Sequence, residues 1–262
     1  MIGVSKLYCG AVEPGDVLRY RRHSGELHSH LLQFSADKKP VVVWNVTRRC
    51  NLKCVHCYAP ANAAAAPAEL SHAEGLALLA DLKQFGVPVV LFSGGEPLMR
   101  PDLFELVSHT VSLGMRAVIS TNGTLISRDI ALRLKDLGLS YVGISLDGIE
   151  PTHDRFRGKK GAFAAAMAGV RRCQEVGLKV GLRFTLNQAN FREVPAIFDL
   201  VEEYHIPRIC FYHLVYTGRG SALLDQALSF AETRETVDLI CERTQRLFEH
   251  QSQIQHLIHR ID

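Results

Sequence analysis

The chain has 262 residues, enough for one large domain with a sizeable core. Its composition, 47% hydrophobic and 22% charged, is that of a globular protein, and its net charge of +3 is too small to predict nucleic-acid binding. No apolar run approaches the roughly 20 residues that span a bilayer, and no basic segment leads into one, so the sequence predicts neither a membrane span nor a signal peptide. The seven cysteines, an odd number, favour reduced thiols in the cytoplasm.

After an aperiodic N-terminal extension (residues 1–40), the chain alternates short β-branched runs with amphipathic stretches. The predicted strands are Val41–Thr47, Pro88–Ser93, Arg116–Thr121, Tyr141–Leu146, Lys179–Leu186 and Arg208–Leu214. The predicted helices are Ser71–Phe85, Pro101–Leu113, Ser127–Leu137, Ala162–Val176, Glu193–Tyr204 and Thr233–His250. Serines suited to N-caps and glycines suited to C-caps mark the ends of several of them: Ser71, Ser127, Gly86, Gly114, Gly138 and Gly177.

Strands that alternate with helices predict an α/β fold with parallel pairing and right-handed crossovers. Six such units are too few for a closed (β/α)8 barrel and fit a partial (β/α)6 TIM-like barrel, with a doubly wound open sheet as the alternative. Functional groups are expected at the carboxyl ends of the strands in either case. We divide the chain into the extension, a core over residues 41–220 and a C-terminal helical segment over residues 221–262.

Cys50, Cys54 and Cys57 follow the first strand with the spacing C-x3-C-x2-C. A cubane iron–sulfur cluster has four irons, so three thiolates leave one iron open for chemistry. The same spacing would place three cysteines on one face of a helix, and a zinc site that adds His56 is also possible. The polar neighbours of the cysteines favour a loop.

One βα unit later, the second strand ends in Gly94-Gly95-Glu96-Pro97. Two glycines let a ligand approach the backbone, although the motif alone is also an ordinary turn. Later strands end in polar residues, and the fifth carries an arginine within an apolar run: Asn122, Ser145 and Arg183. These residues are turn formers or solvated side chains on one interpretation, and groups around a barrel mouth on the other.

The cysteine motif followed by the Gly-Gly-Glu-Pro motif resembles the radical S-adenosylmethionine (radical SAM) enzymes. The resemblance implies a partial barrel of that type, with one [4Fe-4S] cluster on Cys50, Cys54 and Cys57 and S-adenosylmethionine (SAM) on the fourth iron. It places SAM contacts at Gly94, Gly95, Glu96, Ser145 and Arg183, with Asn122 either a further contact or a turn former. Beyond the cluster, no catalytic residue is assigned.

Residues 1–10, 30–40 and 210–216 look like the tetrapyrrole-modifying branch of that superfamily. The resemblance implies an iron-tetrapyrrole substrate, with removal of acetate side chains from 12,18-didecarboxysiroheme to give Fe-coproporphyrin III, and a ferredoxin- or flavodoxin-type electron donor. The alternatives are a haem d1 enzyme acting on propionates, a peptide-modifying radical SAM maturase and a non-enzymatic zinc-binding module. Candidate groups for carboxylates or iron, each also an ordinary surface residue, are Arg19, Arg21, Arg22, Lys38, Lys39 and Cys9.

Proteins of this branch usually continue into a C-terminal region whose cysteines bind an auxiliary cluster. The cysteines outside the motif are scattered, and the chain stops at Asp262; they are Cys9, Cys173, Cys210 and Cys241. We therefore expect one cluster here, in either a truncated form or a short member of the branch.

Overall fold

The computed structural model describes residues 39–59, 61 and 69–258, with side chains as far as residue 247. Six parallel strands form one sheet in the order β1-β2-β3-β4-β5-β6. The strands are β1 Val42–Thr47, β2 Val89–Gly94, β3 Arg116–Thr121, β4 Tyr141–Ser145, β5 Val180–Leu186 and β6 Ile209–His213. A doubly wound sheet reverses its strand order at a switch point, whereas this order is sequential throughout, as in a segment of a barrel.

Helices lie between successive strands, and a last helix follows β6. They are α1 His72–Phe85, α2 Leu103–Ser112, α3 Arg128–Asp136, α4 Glu150–Arg157, α5 Ala162–Glu175, α6 Val194–Glu203 and α7 Phe230–Ile258. Short 3-10 turns lie at Pro97–Met99, Phe191–Glu193 and Gly218–Gln226. The predicted α/β partial barrel is thus confirmed, and the ends of the observed strands and of the five matching helices differ from the predicted ends by at most two residues.

The predicted caps at both ends of α1 and at the start of α3 are confirmed. The Ser71 hydroxyl accepts from the Glu74 N–H while the Glu74 carboxylate accepts from the Ser71 N–H, which forms a capping box at α1. The Ser127 hydroxyl caps α3 by accepting from the Ile130 N–H. At the other end of α1, Gly86 takes the left-handed conformation with φ of 88°.

One face of the sheet is fully buried under the helices. Successive strands contribute residues with no exposed surface, including Val90, Phe92, Ile119, Ile144 and Leu182. The alternate residues of β2, β3 and β4 on the other face are mostly half-buried. A functional site is therefore expected on that more open face and at the carboxyl ends of the strands.

Helix α4 was missing from the predicted elements. Its buried face is made of Thr152, His153, Phe156 and Arg157 rather than aliphatic residues, so hydrophobic periodicity gives it no signal. The helix begins directly after the Asp147-Gly148 turn and ends at Gly158, which adopts φ of 65°. The polar composition of this helix matters because its side chains reach the candidate site.

The chain divides into two compact units, and residues Lys39–Ala227 form one of them. The described part of the other begins at Leu228 and consists mainly of α7, which is longer than predicted at both ends. No helix in the described part of the chain is both long and apolar enough to cross a membrane. The boundaries between the three predicted segments stay a prediction.

Most of the candidate tetrapyrrole-binding cations lie outside the described residues, as does Cys9. Lys39 is described, and its ammonium group lies over the Phe85 ring, 4.5 Å from the ring centre. This contact gives Lys39 a packing partner at the end of α1.

Candidate functional site

The three cysteines lie in the loop over residues 48–57, here called the cysteine loop, directly after β1. Cys50 and Cys54 are buried and Cys57 is half-buried, and all three pack with Leu52 and Ala61. Burial raises the pKa of the Cys50 thiol to about 11, so the free thiol keeps its proton at neutral pH until a metal displaces it.

The donor set fits an iron–sulfur cluster. In the described part of the chain, no three Cys, His, Asp or Glu side chains converge closely enough to hold one metal ion. A cluster differs from a single ion because each thiolate binds its own iron, so its ligands are spread more widely. Three soft thiol donors in one partly covered loop suit that arrangement.

The Gly94-Gly95 pair packs against the start of the cysteine loop, backbone against backbone. A Cβ atom on Gly94, which has φ of 133°, would lie 2.3 Å from the Thr47 carbonyl oxygen, and one on Gly95 would lie 2.3 Å from that of Arg49. The Gly95 N–H donates to the Thr47 carbonyl at 2.8 Å, and the Glu96 N–H donates to the Arg49 carbonyl at 2.7 Å. Only glycine permits this approach, so the two predicted motifs form one structural unit.

The Glu96 side chain is fully buried beside the end of β3. Its carboxylate accepts from the Thr121 hydroxyl at 2.7 Å, the Asn122 N–H at 2.9 Å and the Leu98 N–H at 3.1 Å. Burial raises the pKa of Glu96, and these three donors partly offset the rise. Because a carboxylate offers about four acceptor positions, one remains for a further donor.

Asn122 connects the end of β3 to the cysteine loop. Its amide group donates to the Asn51 side-chain oxygen at 2.8 Å, and its own oxygen accepts from the Thr124 N–H at 2.9 Å and hydroxyl at 2.7 Å. Asn51 in turn donates to the Thr124 hydroxyl at 2.9 Å. Asn122 is thus a turn former that also contacts the cysteine loop, and a contact with SAM stays a prediction.

Arg183 lies across the open face of the sheet. It is the register partner of Ser145, and its Nη1 donates to the Ser120 hydroxyl at 2.9 Å. To reach β3 it passes over Gly143, where a Cβ would lie 2.3 Å from its Nε. That Nε is buried and makes no hydrogen bond. The structure thus brings Ser145 and Arg183 together, and the Nε–H group of Arg183 is free to donate a hydrogen bond.

A buried charged group lies at the carboxyl end of β4. The Asp147 carboxylate forms an ion pair with Arg157 and lies 3.3 Å from His56 Nε2, and its other oxygen accepts from the Thr185 N–H at 3.0 Å. Burial alone would raise the pKa of Asp147, but Arg157 and His56 outweigh it and lower that pKa. Nη1 of Arg157 also lies 3.5 Å from the Cys54 sulfur.

The two histidines of this group are neutral at pH 7. His153 Nδ1 accepts from the Asp147 N–H at 3.0 Å, and burial together with the Arg157 cation lowers its pKa to about 4. Burial likewise lowers the pKa of His56. The fixed charges of this buried group are therefore the anion of Asp147 and the cation of Arg157.

Arg219, in the segment after β6, contacts the cysteine loop from another side. Its Nε donates to the Cys54 carbonyl at 2.8 Å, its Nη1 to the Ala61 carbonyl at 3.0 Å and its backbone N–H to the Cys57 carbonyl at 2.9 Å. The preceding Gly218 comes so close that a Cβ would lie 2.6 Å from the Cys57 carbonyl oxygen. The segments after the two edge strands of the partial barrel thus meet at the cysteine loop.

The structure brings the predicted site residues to the predicted edge of the sheet. Cys50, Cys54 and Cys57 lie beside the Gly-Gly-Glu motif, and Asn122 is bonded to the same loop. Sequence patterns do not predict Arg157 and Arg219 as site residues, because these arginines lie 103 and 165 residues from their contacts at Cys54. The only local signal was a glycine next to each arginine, at Gly158, Gly218 and Gly220.

Comparisons with known proteins identify the family. Residues 44–201 match the model of the radical SAM superfamily. A curated protein of Methanosarcina barkeri named Fe-coproporphyrin III synthase is 66% identical over 249 residues, which are 95% of this chain and 62% of that protein. A pre-heme d1 synthase of Dinoroseobacter shibae is 44% identical, over 78% of this chain and 51% of its own length. The chain thus spans less than two thirds of either relative.

The fold of the chain is similar to that of a solved structure. The crystal structure of Streptococcus suis SuiB bound to S-adenosylmethionine superposes with a TM-score of 0.67 at 20% identity, over 79% of this chain and 48% of that one. At this identity the likeness concerns the fold alone. Enzymes of the matched family use a [4Fe-4S] cluster and SAM, to which the cysteine loop is suited, and the zinc-module alternative is thereby replaced. The chain belongs to the radical SAM superfamily.

Proposed function

We propose that this chain is the radical SAM part of an enzyme that acts on an iron tetrapyrrole, removing the acetate side chains of 12,18-didecarboxysiroheme to give Fe-coproporphyrin III. The observation that carries the proposal is the 66% identity, over 95% of the chain, to a protein named Fe-coproporphyrin III synthase. A ferredoxin- or flavodoxin-type electron donor and a cytoplasmic location belong to the same proposal.

Cys50, Cys54 and Cys57 are the proposed ligands of the cluster. When bound, the cluster and SAM supply reductive cleavage of SAM to a radical that removes a hydrogen atom from the substrate. The protein keeps this loop in place through Gly95, whose backbone contacts Arg49, and through Gly94, which contacts Thr47 directly before the loop. Partial burial of the cysteines limits the access of water and oxygen to the metal.

Gly94, Gly95, Glu96, Ser145 and Arg183 are the proposed SAM-binding residues, with Asn122 either a further contact or a residue that positions the cysteine loop. The free acceptor position of Glu96 suits an ammonium group, and the half-buried Arg183 cation, whose buried Nε makes no hydrogen bond, suits a carboxylate. Ser145, the register partner of Arg183, adds a hydroxyl on the same face. The amino acid end of SAM would therefore be bound between the carboxylate of Glu96, which follows β2, and the guanidinium group of Arg183 on β5.

The test is an anaerobic assay of the reconstituted protein with dithionite, SAM and 12,18-didecarboxysiroheme, analysed by mass spectrometry. We expect 5′-deoxyadenosine together with a product that has lost acetate side chains. C54A should bind less cluster iron and form neither product. C241S, which changes a cysteine on α7, should keep the cluster iron and form both products. Retention of a full four-iron cluster by C54A would disprove the ligand assignment.

The products also separate the alternatives. Modification of a propionate side chain would favour the haem d1 chemistry that the name of the D. shibae relative indicates. Formation of 5′-deoxyadenosine without any change in the tetrapyrrole would refute the tetrapyrrole proposal and favour a peptide substrate. The substrate proposal and the cofactor assignment thus fail in distinguishable ways.

A further inference from the structure

Arg157 is a buried cation whose guanidinium group joins the cysteine loop to Asp147. The Arg157 side chain is 8% exposed, and its Nη1 lies 3.5 Å from the Cys54 sulfur while its Nη2 pairs with the Asp147 carboxylate. Neither the proposed SAM site nor the proposed substrate chemistry uses this arginine. Its burial therefore calls for another explanation, because a buried ion pair is weak evidence of a contribution to stability.

Backbone contacts fix Arg157 relative to Cys54. The Lys53 N–H donates to the Arg157 carbonyl at 3.2 Å, and the Val55 N–H donates to the Phe156 carbonyl at 2.9 Å. These two bonds lie on either side of Cys54 along the chain. The end of α4 and the middle of the cysteine loop thus form one unit, and the guanidinium group is aimed at the sulfur by the fold.

Asp147 is fixed equally well. Its side chain is 1% exposed, its second oxygen accepts from the Thr185 N–H at 3.0 Å, and its carbonyl accepts from the Asn190 side chain at 3.1 Å. Separate nitrogens of Arg157 contact the Cys54 sulfur and the Asp147 carboxylate. The guanidinium group thus places a buried cation at the sulfur, and its anion is held in place beside it.

The three cysteines differ in this respect. Within the described residues, a hydrogen bond from a cationic side chain to a cysteine sulfur is found at Cys54, whereas the Cys57 sulfur lies against the Ala59 carbonyl. Hydrogen bonds and positive charge at a ligand sulfur stabilise the more negative, reduced state of an iron–sulfur cluster. Burial strengthens the effect because the surrounding dielectric constant is low and salt screens buried charges weakly.

We propose that Arg157 is a positioning residue that orients the Cys54 sulfur and raises the reduction potential of the cluster, while Asp147 limits the increase. This inference goes beyond the proposed substrate and rests on the proposed assignment of Cys54 as a ligand. Arg157 makes no contact with the reacting atoms in this role. It adjusts how readily the cluster accepts the electron on which the chemistry of the family depends.

The test is a redox titration of the reconstituted protein monitored by electron paramagnetic resonance, with SAM absent and present. R157Q removes the charge and shortens the side chain, so the potential should fall by about 59 mV or more, a tenfold change in a one-electron equilibrium. D147N leaves the cation uncompensated, so the potential should rise. R133Q removes a surface arginine whose side chain is 56% exposed and should leave the potential unchanged.

Iron and sulfide content separates a failure of the Cys54 ligand assignment from a failure of the proposed role of Arg157. Loss of the cluster from C54A tests the ligand assignment, whereas the potentials of cluster-containing variants test Arg157. If R157Q does not assemble a cluster, the double variant R157Q/D147N replaces it, since no unpaired charge is left buried, and its potential should lie below that of D147N. The proposal would be overturned if R157Q had the same reduction potential as the unmodified protein, or if the double variant had the same potential as D147N. It would also be overturned if D147N showed no rise in potential.

Discussion

The cysteine loop is held on its two flanks by different kinds of contact. On the β2 flank, Gly94 and Gly95 press backbone against backbone, with neutral hydrogen bonds and no room for a Cβ atom. On the opposite flank, Arg157 and Arg219 reach the loop with long charged side chains. The first flank fixes where the loop lies, and the second adds charge beside the sulfur and supports the loop carbonyls.

The glycine flank should be the more sensitive to a small change. In G94A, the new Cβ would meet the Thr47 carbonyl oxygen at 2.3 Å in a conformation that only glycine tolerates, so we expect a loss of about 3 kcal/mol or more in the free energy of unfolding. Urea unfolding of the apoprotein and iron content after reconstitution measure both consequences.

Gly161 supplies a matched control for that substitution. It also has a positive φ, of 79°, but an added Cβ would meet nothing within 4 Å. G161A should therefore cost only the backbone strain, about 1 kcal/mol, and should retain iron. Equal effects of G94A and G161A would show that strain rather than the close approach to the loop governs this flank.

The arginine flank should respond with an intermediate loss. R219Q removes the side-chain donors to the Cys54 and Ala61 carbonyls, so we expect a loss of about 2 kcal/mol and weaker retention of iron. R172Q, which removes a guanidinium bonded to the single Ile126 carbonyl away from the loop, should lower stability without lowering iron content. If R172Q released iron as readily as R219Q, the contact of Arg219 with the loop would have no special role.

The charge balance on the arginine flank should produce a pH dependence. His153 has a folded pKa of about 4 against a usual value of 6.5, so between these values the folded protein binds fewer protons than the unfolded chain. Stability should therefore fall as pH drops through this window, by about 1 kcal/mol between pH 7.5 and pH 5.5. Urea unfolding of the apoprotein at the two pH values measures the change.

The variant H153N keeps an acceptor for the Asp147 N–H and removes the titrating ring, so it should reduce the pH dependence. Part of it should remain, because burial also lowers the pKa of His56. H213N, which changes an exposed histidine at the end of β6, should behave as the parent. An unchanged slope in H153N would mean that the charged group at the end of β4 is not the source of the effect.

The two flanks also differ in how far the sequence predicts them. The six strands are recognisable because each is a short run rich in β-branched, aliphatic or aromatic residues. The glycine flank is recognisable because two glycines stand at the end of one of these strands. The order of parallel strands then places Glu96 next to Asn122, since β2 and β3 are neighbours.

The arginine flank could not be predicted in the same way. Arg157 ends a helix whose buried face is polar, so no hydrophobic period marks it, and Arg219 lies in an irregular segment. Their contacts with Cys54 span 103 and 165 residues and depend on the full curvature of the sheet. Local patterns therefore indicate the motif, whereas the charges around it require the three-dimensional fold.

The smallest expected effect concerns the link between Asn122 and Asn51, which joins the cysteine loop to the end of β3. In a double-mutant cycle of N51A, N122A and both together, we expect a coupling of about 0.5 to 1 kcal/mol, because either single substitution already removes their shared 2.8 Å hydrogen bond. The pair N51A and Q174A should be additive, since Gln174 bonds the distant Tyr204 carbonyl. Urea unfolding of the apoproteins gives these values.

The same variants decide whether Asn122 also contacts SAM. If the asparagine acts only through the cysteine loop, N51A and N122A should weaken SAM binding by similar factors, as measured by equilibrium dialysis of the reconstituted proteins. A larger loss in N122A would reveal an additional direct contact with SAM. Because the Asn122 side chain already bonds both Asn51 and Thr124, we expect the similar factors and a role in positioning.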